Sequence, residues 1–122
     1  MAKSVVIICD DSPIGKNSAI EAMRMGAGIM AIGDLDECKI IIMGDSVYVF
    51  GKSFKPEKIN MDSIDNIFHM LELSDIKVYI LDSALINAGL SNNDLIKLKN
   101  INIVSLREIS EYILNADVTY KF

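Results

Sequence analysis

Four short apolar runs are spaced along the chain: VVIIC, KIIIM, KVYIL and INIVS. Segments with the three-to-four-residue periodicity of a helix lie between them. A strand half-buried in an antiparallel sheet alternates apolar and polar residues. Continuous runs such as VVIIC and KIIIM instead suit strands covered on both faces. Strands that alternate with helices from end to end argue for a parallel sheet between helical layers. The expectation is a three-layer α/β/α domain with a five-stranded, mainly parallel, Rossmann-like sheet. At 122 residues, one domain over 1–122 is the natural division.

The elements follow from local pattern. Val5–Cys9 reads as the first strand. From about Lys16 to Ala31 the spacing of Ile20, Met23, Ala27, Met30 and Ala31 predicts a helix with one apolar face. Gly26, Gly28 and Gly33 weaken its end, and they would let it lie close to a sheet. Lys39–Met43 is the second strand, and Ser46–Phe50 fits a short helix or a strand. Ser53–Asn60, with Pro56, reads as a loop. Met61, Ile64, Phe68 and Leu71 mark a helical face, and Lys77–Leu81 a third strand. Asp82 is placed to cap a helix that stops at Gly89. Ser91 and Asp94 open another helical piece. Asn102–Ser105 is a fourth strand. Ser105 and Glu108 have capping-box spacing before a helix faced by Leu106, Ile109 and Ile113, and Val118–Phe122 closes the chain as a strand.

Composition narrows the function. The hydrophobic share of 51% rules against disorder, and the longest apolar runs are far too short to span a bilayer. The start, MAKSVVIICDD, lacks the long apolar stretch of a secretory signal, so the reading is soluble and cytoplasmic, with no membrane partner. A net charge of −5 without a Lys/Arg cluster disfavours direct nucleic-acid binding. Cys9, Cys38 and the lone His69 do not make a zinc set, so no metal and no cofactor is expected. Cys9 ends the first strand and Cys38 precedes the second, which in a parallel sheet puts them at opposite edges and disfavours a disulfide. His69 is expected at or near the surface without a catalytic partner, and the seven methionines as core filler or subunit contacts.

Ligands of parallel sheets sit at the carboxyl ends of the strands. That rule selects a binding cleft of Asp10, Asp11, Ser12, Gly15, Lys16, Gly44, Asp45, Leu81, Asp82 and Ser83. Lys16 and Arg107 are further candidates to hold an anion. The loop after the first strand, CDDSPIGKN, admits three readings. As a phosphate cradle it fails: the pattern G-x-x-x-x-G-K-[ST] has Asp10 at its first glycine and Asn17 at its hydroxyl. As a magnesium site, VVIICDDSP resembles the first strand of a response-regulator receiver domain. Asp10 and Asp11 would hold the ion, Asp82 would accept a phosphoryl group, and Ser105 would be the switch hydroxyl. Roughly seventy residues separate Asp11 from Asp82, however, against about thirty for one strand–helix–strand unit. No helix follows Lys121, where that family has one.

The third reading uses the whole chain. The loop SPIGKNSAIEAM, the segment KIIIMGDSVYVF, the stretch MLELSDIKVYILDSALINAGL and the ending ADVTYKF follow one another as in the DsrE/DsrF-like sulfur-relay family. They resemble its DsrF/TusC branch in particular. The resemblance implies a protein of intracellular sulfur trafficking. It implies a homo-oligomer, or a hetero-oligomer with DsrE/DsrH-like subunits, and a sulfur carrier protein as a further partner. Active members carry a persulfide on a cysteine just after the third main strand. Here that junction reads Ile80-Leu81-Asp82-Ser83, with no thiol. The expectation is therefore a non-catalytic or regulatory subunit. If the chain is an enzyme, it is a sulfurtransferase using Cys9, which ends the first strand. Against that, Asp10 and Asp11 would raise a neighbouring thiol's pKa, and a free cysteine is commonly a buried core residue. Cys38 is expected to be structural.

Overall fold

A computed structural model describes residues 3–14, 16–31, 37–59, 64–74 and 76–122. Five strands form one sheet: β1 (Ser4–Cys9), β2 (Glu37–Ile42), β3 (Lys77–Leu81), β4 (Ile101–Val104) and β5 (Val118–Lys121). Their order across the sheet is β4-β3-β2-β1-β5, and every neighbouring pair is parallel. The chain steps outward from β1 to β4 and then returns to the far side of β1. The topological switch point therefore falls between β1 and β5.

Register fixes what each face carries. Ile7, Ile40, Val78 and Ile101 form one row across the sheet, and Ile8, Ile41, Tyr79 and Asn102 the next. Side chains alternate between faces along a strand, so these rows face opposite layers. Helix α1 (Ser18–Ala31) covers the first face. A Cβ on its Gly26 would meet Ile40 Cδ1 at 3.3 Å and Cys38 Sγ at 3.4 Å, so the missing side chain lets helix and sheet approach closely. Helix α2 (Asp65–Leu73) packs beside α1 and buries Ile67 and Leu71. Helix α4 (Leu106–Asn115) covers the second face, where the Tyr112 ring lies 4.7 Å from that of Tyr79. The Lys39 ammonium stands 5.3 Å from the centre of the same Tyr112 ring. This is the expected three-layer arrangement. The core between the layers is rich in isoleucine, with Ile7, Ile40, Ile41, Ile42, Ile76 and Ile80 fully enclosed.

Local boundaries differ from expectation where backbone hydrogen bonding overrides side-chain pattern. The second strand starts at Glu37 and takes in Cys38, because β1 supplies pairing partners from Ser4 onward. The segment left open between helix and strand is a 3-10 turn, Gly44–Phe50. The Pro56 loop holds a further 3-10 turn, Pro56–Ile59. Helix α3 (Asp82–Ala88) begins at Asp82 itself. Asp82 is therefore not the cap; its Oδ1 accepts from the Ser83 amide at 2.6 Å. Gly89 does end this helix, at φ 74°. Ser91 and Asp94 form the anticipated capping box, on a 3-10 turn of three residues. Ser105 caps α4 by accepting from the Glu108 amide at 3.3 Å. Leu106, expected on the buried face of α4, is 57% exposed at the first residue of the helix. Gly15, Gly33, Asn60 and Met61 lie outside the described residues.

Candidate functional site

The carboxyl edge of the sheet begins at Cys9. Its side chain is fully enclosed, and its carbonyl accepts from the Met43 amide at 2.8 Å and from the buried Ser46 hydroxyl at 2.9 Å. These bonds tie the end of β1 to the 3-10 turn that follows β2. Gly44, at the start of that turn, has φ 51°, and an added Cβ would lie 2.8 Å from the Asp10 carbonyl oxygen. Glycine is therefore demanded twice here, by backbone conformation and by contact. Two ion pairs flank the loop: Asp10 with Lys121 at 3.1 Å and Asp11 with Lys16 at 3.4 Å. The first bridges the switch point between β1 and β5.

Burial pushes the Cys9 thiol up to about 12, with Asp10 and Asp11 adding to the rise and Lys121 opposing it. Burial likewise pushes Cys38 up to about 11, against the charge of Lys39. A reactive cysteine needs access and a thiolate. Cys9, the candidate sulfur-bearing residue, has neither in this fold. Cys38 is 1% exposed inside β2 rather than before it. In the β1–β2 register Cys9 pairs with Ile42 and Cys38 with Val5. Four residue steps along the strands thus separate the thiols, about 13 Å at the rise of a β-strand, too far for a disulfide.

The receiver-like arrangement is overturned by sheet order. Asp10 and Asp11 follow β1, Asp82 follows β3, and β2 runs between them. Two strand spacings place β3 roughly 10 Å from β1, so these carboxylates do not converge on one ion. Among the described residues, no three His, Cys, Asp or Glu side chains are grouped closely enough to hold a metal.

The carboxyl edge does form a cleft of about 660 Å³. Ser12, Pro13 and Ile14 of the β1–α1 loop make one wall. Asp45 and Tyr48 of the 3-10 turn, with Gly51, Ser53 and Phe54 after it, line a second side. Gly89, Leu90 and Asp94, beyond α3, close the third side. An antiparallel bridge between Gly51 and Leu95 holds the last two walls together. Lys52 N donates to Asp94 O at 2.7 Å beside it. Asp94 Oδ2 accepts from the Ser91 amide at 2.8 Å and from its hydroxyl at 3.0 Å. Those bonds, with the nearby charge of Lys52, hold its carboxyl below the usual aspartate range.

Of the residues chosen from the sequence, Ser12 and Asp45 line this cleft. Asp10, Asp11 and Lys16 are committed to the ion pairs beside it, and Gly44 is buttressed by Asp10. Leu81 is buried beneath α3, and Asp82 and Ser83 are exposed at its first turn. Gly15 lies outside the described residues. Ile14 lies in the loop that the strand-end rule points to but is not among the residues chosen from it, and sequence reasoning missed Tyr48, Phe54 and Leu90. The strand-end rule does not reach side chains carried in farther along the 3-10 turn, after it, or by the α3–β4 connection. His69 is exposed on α2, as expected.

An all-parallel sheet of order 4-3-2-1-5 between helices, with a cleft over its carboxyl edge, defines the class: a single-sheet, Rossmann-like α/β protein. The chain belongs to the DsrE/DsrF-like family, whose pattern it matches over residues 3–122. Its fold is similar to that of the YchN protein from E. coli, at 23% identity and TM-score 0.77, covering 98% of this chain and 99% of that one. A protein of unknown function from Methanobacterium thermoautotrophicum is similar at 13% identity and TM-score 0.72, with both chains fully covered. A conserved protein of unknown function from Bacteroides thetaiotaomicron is similar at 14% identity and TM-score 0.68, covering 98% of this chain and 95% of that one. No curated protein matches in sequence. No helix among the described residues is long and apolar enough to cross a membrane.

Proposed function

We propose that this chain acts in intracellular sulfur trafficking as a non-catalytic or regulatory subunit of the DsrF/TusC type. In this reading it scaffolds a partner that bears the reactive cysteine, and it turns nothing over itself. The observation that carries the proposal is the β3–α3 junction. Where active relatives have a sulfur nucleophile, this chain has Leu81, 7% exposed, and the carboxylate of Asp82. A carboxylate can neither form nor pass on a persulfide. The chain's two thiols do not substitute for the missing one, because both are buried and both stay protonated at neutral pH.

Leu73 on α2, Ile86 on α3 and Leu114 on α4 are 76%, 76% and 82% exposed, but they stand on different elements, and exposed apolar side chains scattered in this way are ordinary. Assembly is supported by the family resemblance instead. The proposed assembly is a homo-oligomer, or a hetero-oligomer with DsrE/DsrH-like subunits, in the cytoplasm.

The test is to incubate the purified native protein with a sulfane-sulfur donor and measure its intact mass. The expected result is no gain of a sulfur atom at Cys9 or Cys38. In a second arm, a cysteine-bearing DsrE-type subunit is added. Co-elution on a sizing column and faster sulfur transfer by that subunit are expected. Stoichiometric persulfide at Cys9, or no association with such a subunit, would overturn the proposal.

A further inference from the structure

The cleft over the carboxyl edge has an unbalanced lining. Its body is apolar: Pro13 is buried in one wall, and Phe54 and Leu90 are half-buried in the others. Its mouth leaves apolar surface in water, with Ile14 71% exposed and Tyr48 39% exposed. Among the described residues its formal charges are two carboxylates, Asp45 and Asp94, and no Lys, Arg or His lines it. Asp45 has no ion-pair or hydrogen-bond partner among the described residues. Asp94 is anchored through Oδ2 by Ser91, and no protein donor among those residues reaches its Oδ1. Of the nearby cations, Lys16 is paired with Asp11 and Lys121 with Asp10, while Lys52, whose charge acts on Asp94, stands outside the lining.

From this we infer that the cleft binds a small organic cation: a primary amine or guanidinium on an apolar, ring-sized stem. The stem packs between Ile14, Tyr48, Phe54 and Leu90, and the cationic head meets Asp45 and Asp94. A cavity of about 660 Å³ lies within the range of small-molecule sites. Two like charges at the rim repel an anion of the same shape, so thiosulfate, sulfite and other anionic sulfur species are disfavoured there. The aromatic ring of Tyr48 adds attraction for a cation at the mouth. The inference stands apart from the sulfur-trafficking reading: it needs only the cleft and its charges.

The experiment compares three ligands that differ only in the head group: phenethylamine, 2-phenylethanol and phenylacetate. Each is titrated into the full chain at low salt, and amide shifts are followed by NMR. Phenethylamine should move the resonances of Ile14, Tyr48 and Leu90 and bind at least tenfold tighter than phenylacetate, with the alcohol between them. The preference should shrink at high salt, as screening requires. Asp45→Asn, which touches no hydrogen bond or ion pair among the described residues, should reduce the amine's advantage several-fold, and the Asp45→Asn/Asp94→Asn pair should bring it within threefold. Equal binding of amine and acid, or shifts outside the cleft alone, would overturn the inference. So would failure of all three to bind. An acetylated lysine tripeptide that binds over a hundredfold tighter than phenethylamine would show the occupant to be a protein segment, and the small-molecule assignment would fail.

Discussion

Replacing Gly44 with alanine tests how the carboxyl edge is held together. Two costs arise at this position. An L residue at φ 51° occupies the left-handed region, at roughly 1–2 kcal/mol. The new Cβ would also sit 2.8 Å from the Asp10 carbonyl oxygen, a distance at which something must move. What moves is a junction fixed by the Met43–Cys9 backbone bond and the Ser46–Cys9 side-chain bond, at 2.8 and 2.9 Å. Weakening one or both adds about 1–2 kcal/mol. The sum is a loss of about 2–4 kcal/mol, a large part of a typical domain's stability. With a urea slope of about 1.5 kcal/mol/M, the midpoint should drop by about 1.3–2.7 M. Gly89→Ala is the internal control. It shares the strained conformation, at φ 74°, but its Cβ meets nothing within 4 Å. Its cost should be about 1 kcal/mol, the strain alone less a small gain from a stiffer unfolded chain. Gly28→Ala, inside α1 with nothing within 4 Å, should instead stabilise by about 0.5–1 kcal/mol. Equal losses at Gly44 and Gly89 would refute the contact argument.

Two further outcomes concern buried polar groups of the core. Both thiols are raised in the folded protein, so the unfolded chain gives up their protons first, and the stability they carry is whole below pH 9 and lost as pH rises. Unfolding midpoints should fall between pH 9 and about 11 with both thiols contributing, and on to about 12 through Cys9, by at most about 1.4 kcal/mol per pH unit per thiol. Cys9→Ala should flatten that fall; an unchanged slope would show that Cys9 is not the buried acid described. Ser46→Ala removes a fully buried hydroxyl that lies 2.9 Å from Cys9 O and 2.6 Å from Met43 O. It should cost about 1–2 kcal/mol and speed amide exchange in the Gly44–Phe50 turn, and native protection there would contradict the role assigned to it.

The architecture was legible because its signals are local and repeated. VVIIC, KIIIM and KVYIL are continuous apolar runs, and only burial on both faces accommodates that pattern. The third strand lies at Lys77–Leu81, as its pattern predicts. Gly89 ends its helix because a left-handed residue is needed there, and glycine adopts that conformation freely. Errors gathered where hydrogen bonding is decided across the chain. Cys38 is a strand residue because Val5 pairs with it, which no feature near Cys38 announces. Asp82 starts a helix rather than capping one, although its type and position suited a cap.

The candidate site was legible only in part. The strand-end rule reached Ser12 and Asp45, which come directly after strands or their first turn. It also drew in Asp10, Asp11 and Lys16, whose charges are paired beside the cleft rather than directed into it.

By itself the sequence determined the α/β class, the family to which the chain belongs and the lack of a thiol at the β3–α3 junction. These depend on residue type and order along the chain. Tertiary structure decided that β2 stands between Asp10 and Asp82, that both cysteines are sealed in the core, and that Tyr48, Phe54 and Leu90 close around one acidic-rimmed cleft. Strand order and the meeting of distant loops arise from how the layers pack, and packing pairs residues that local pattern leaves far apart.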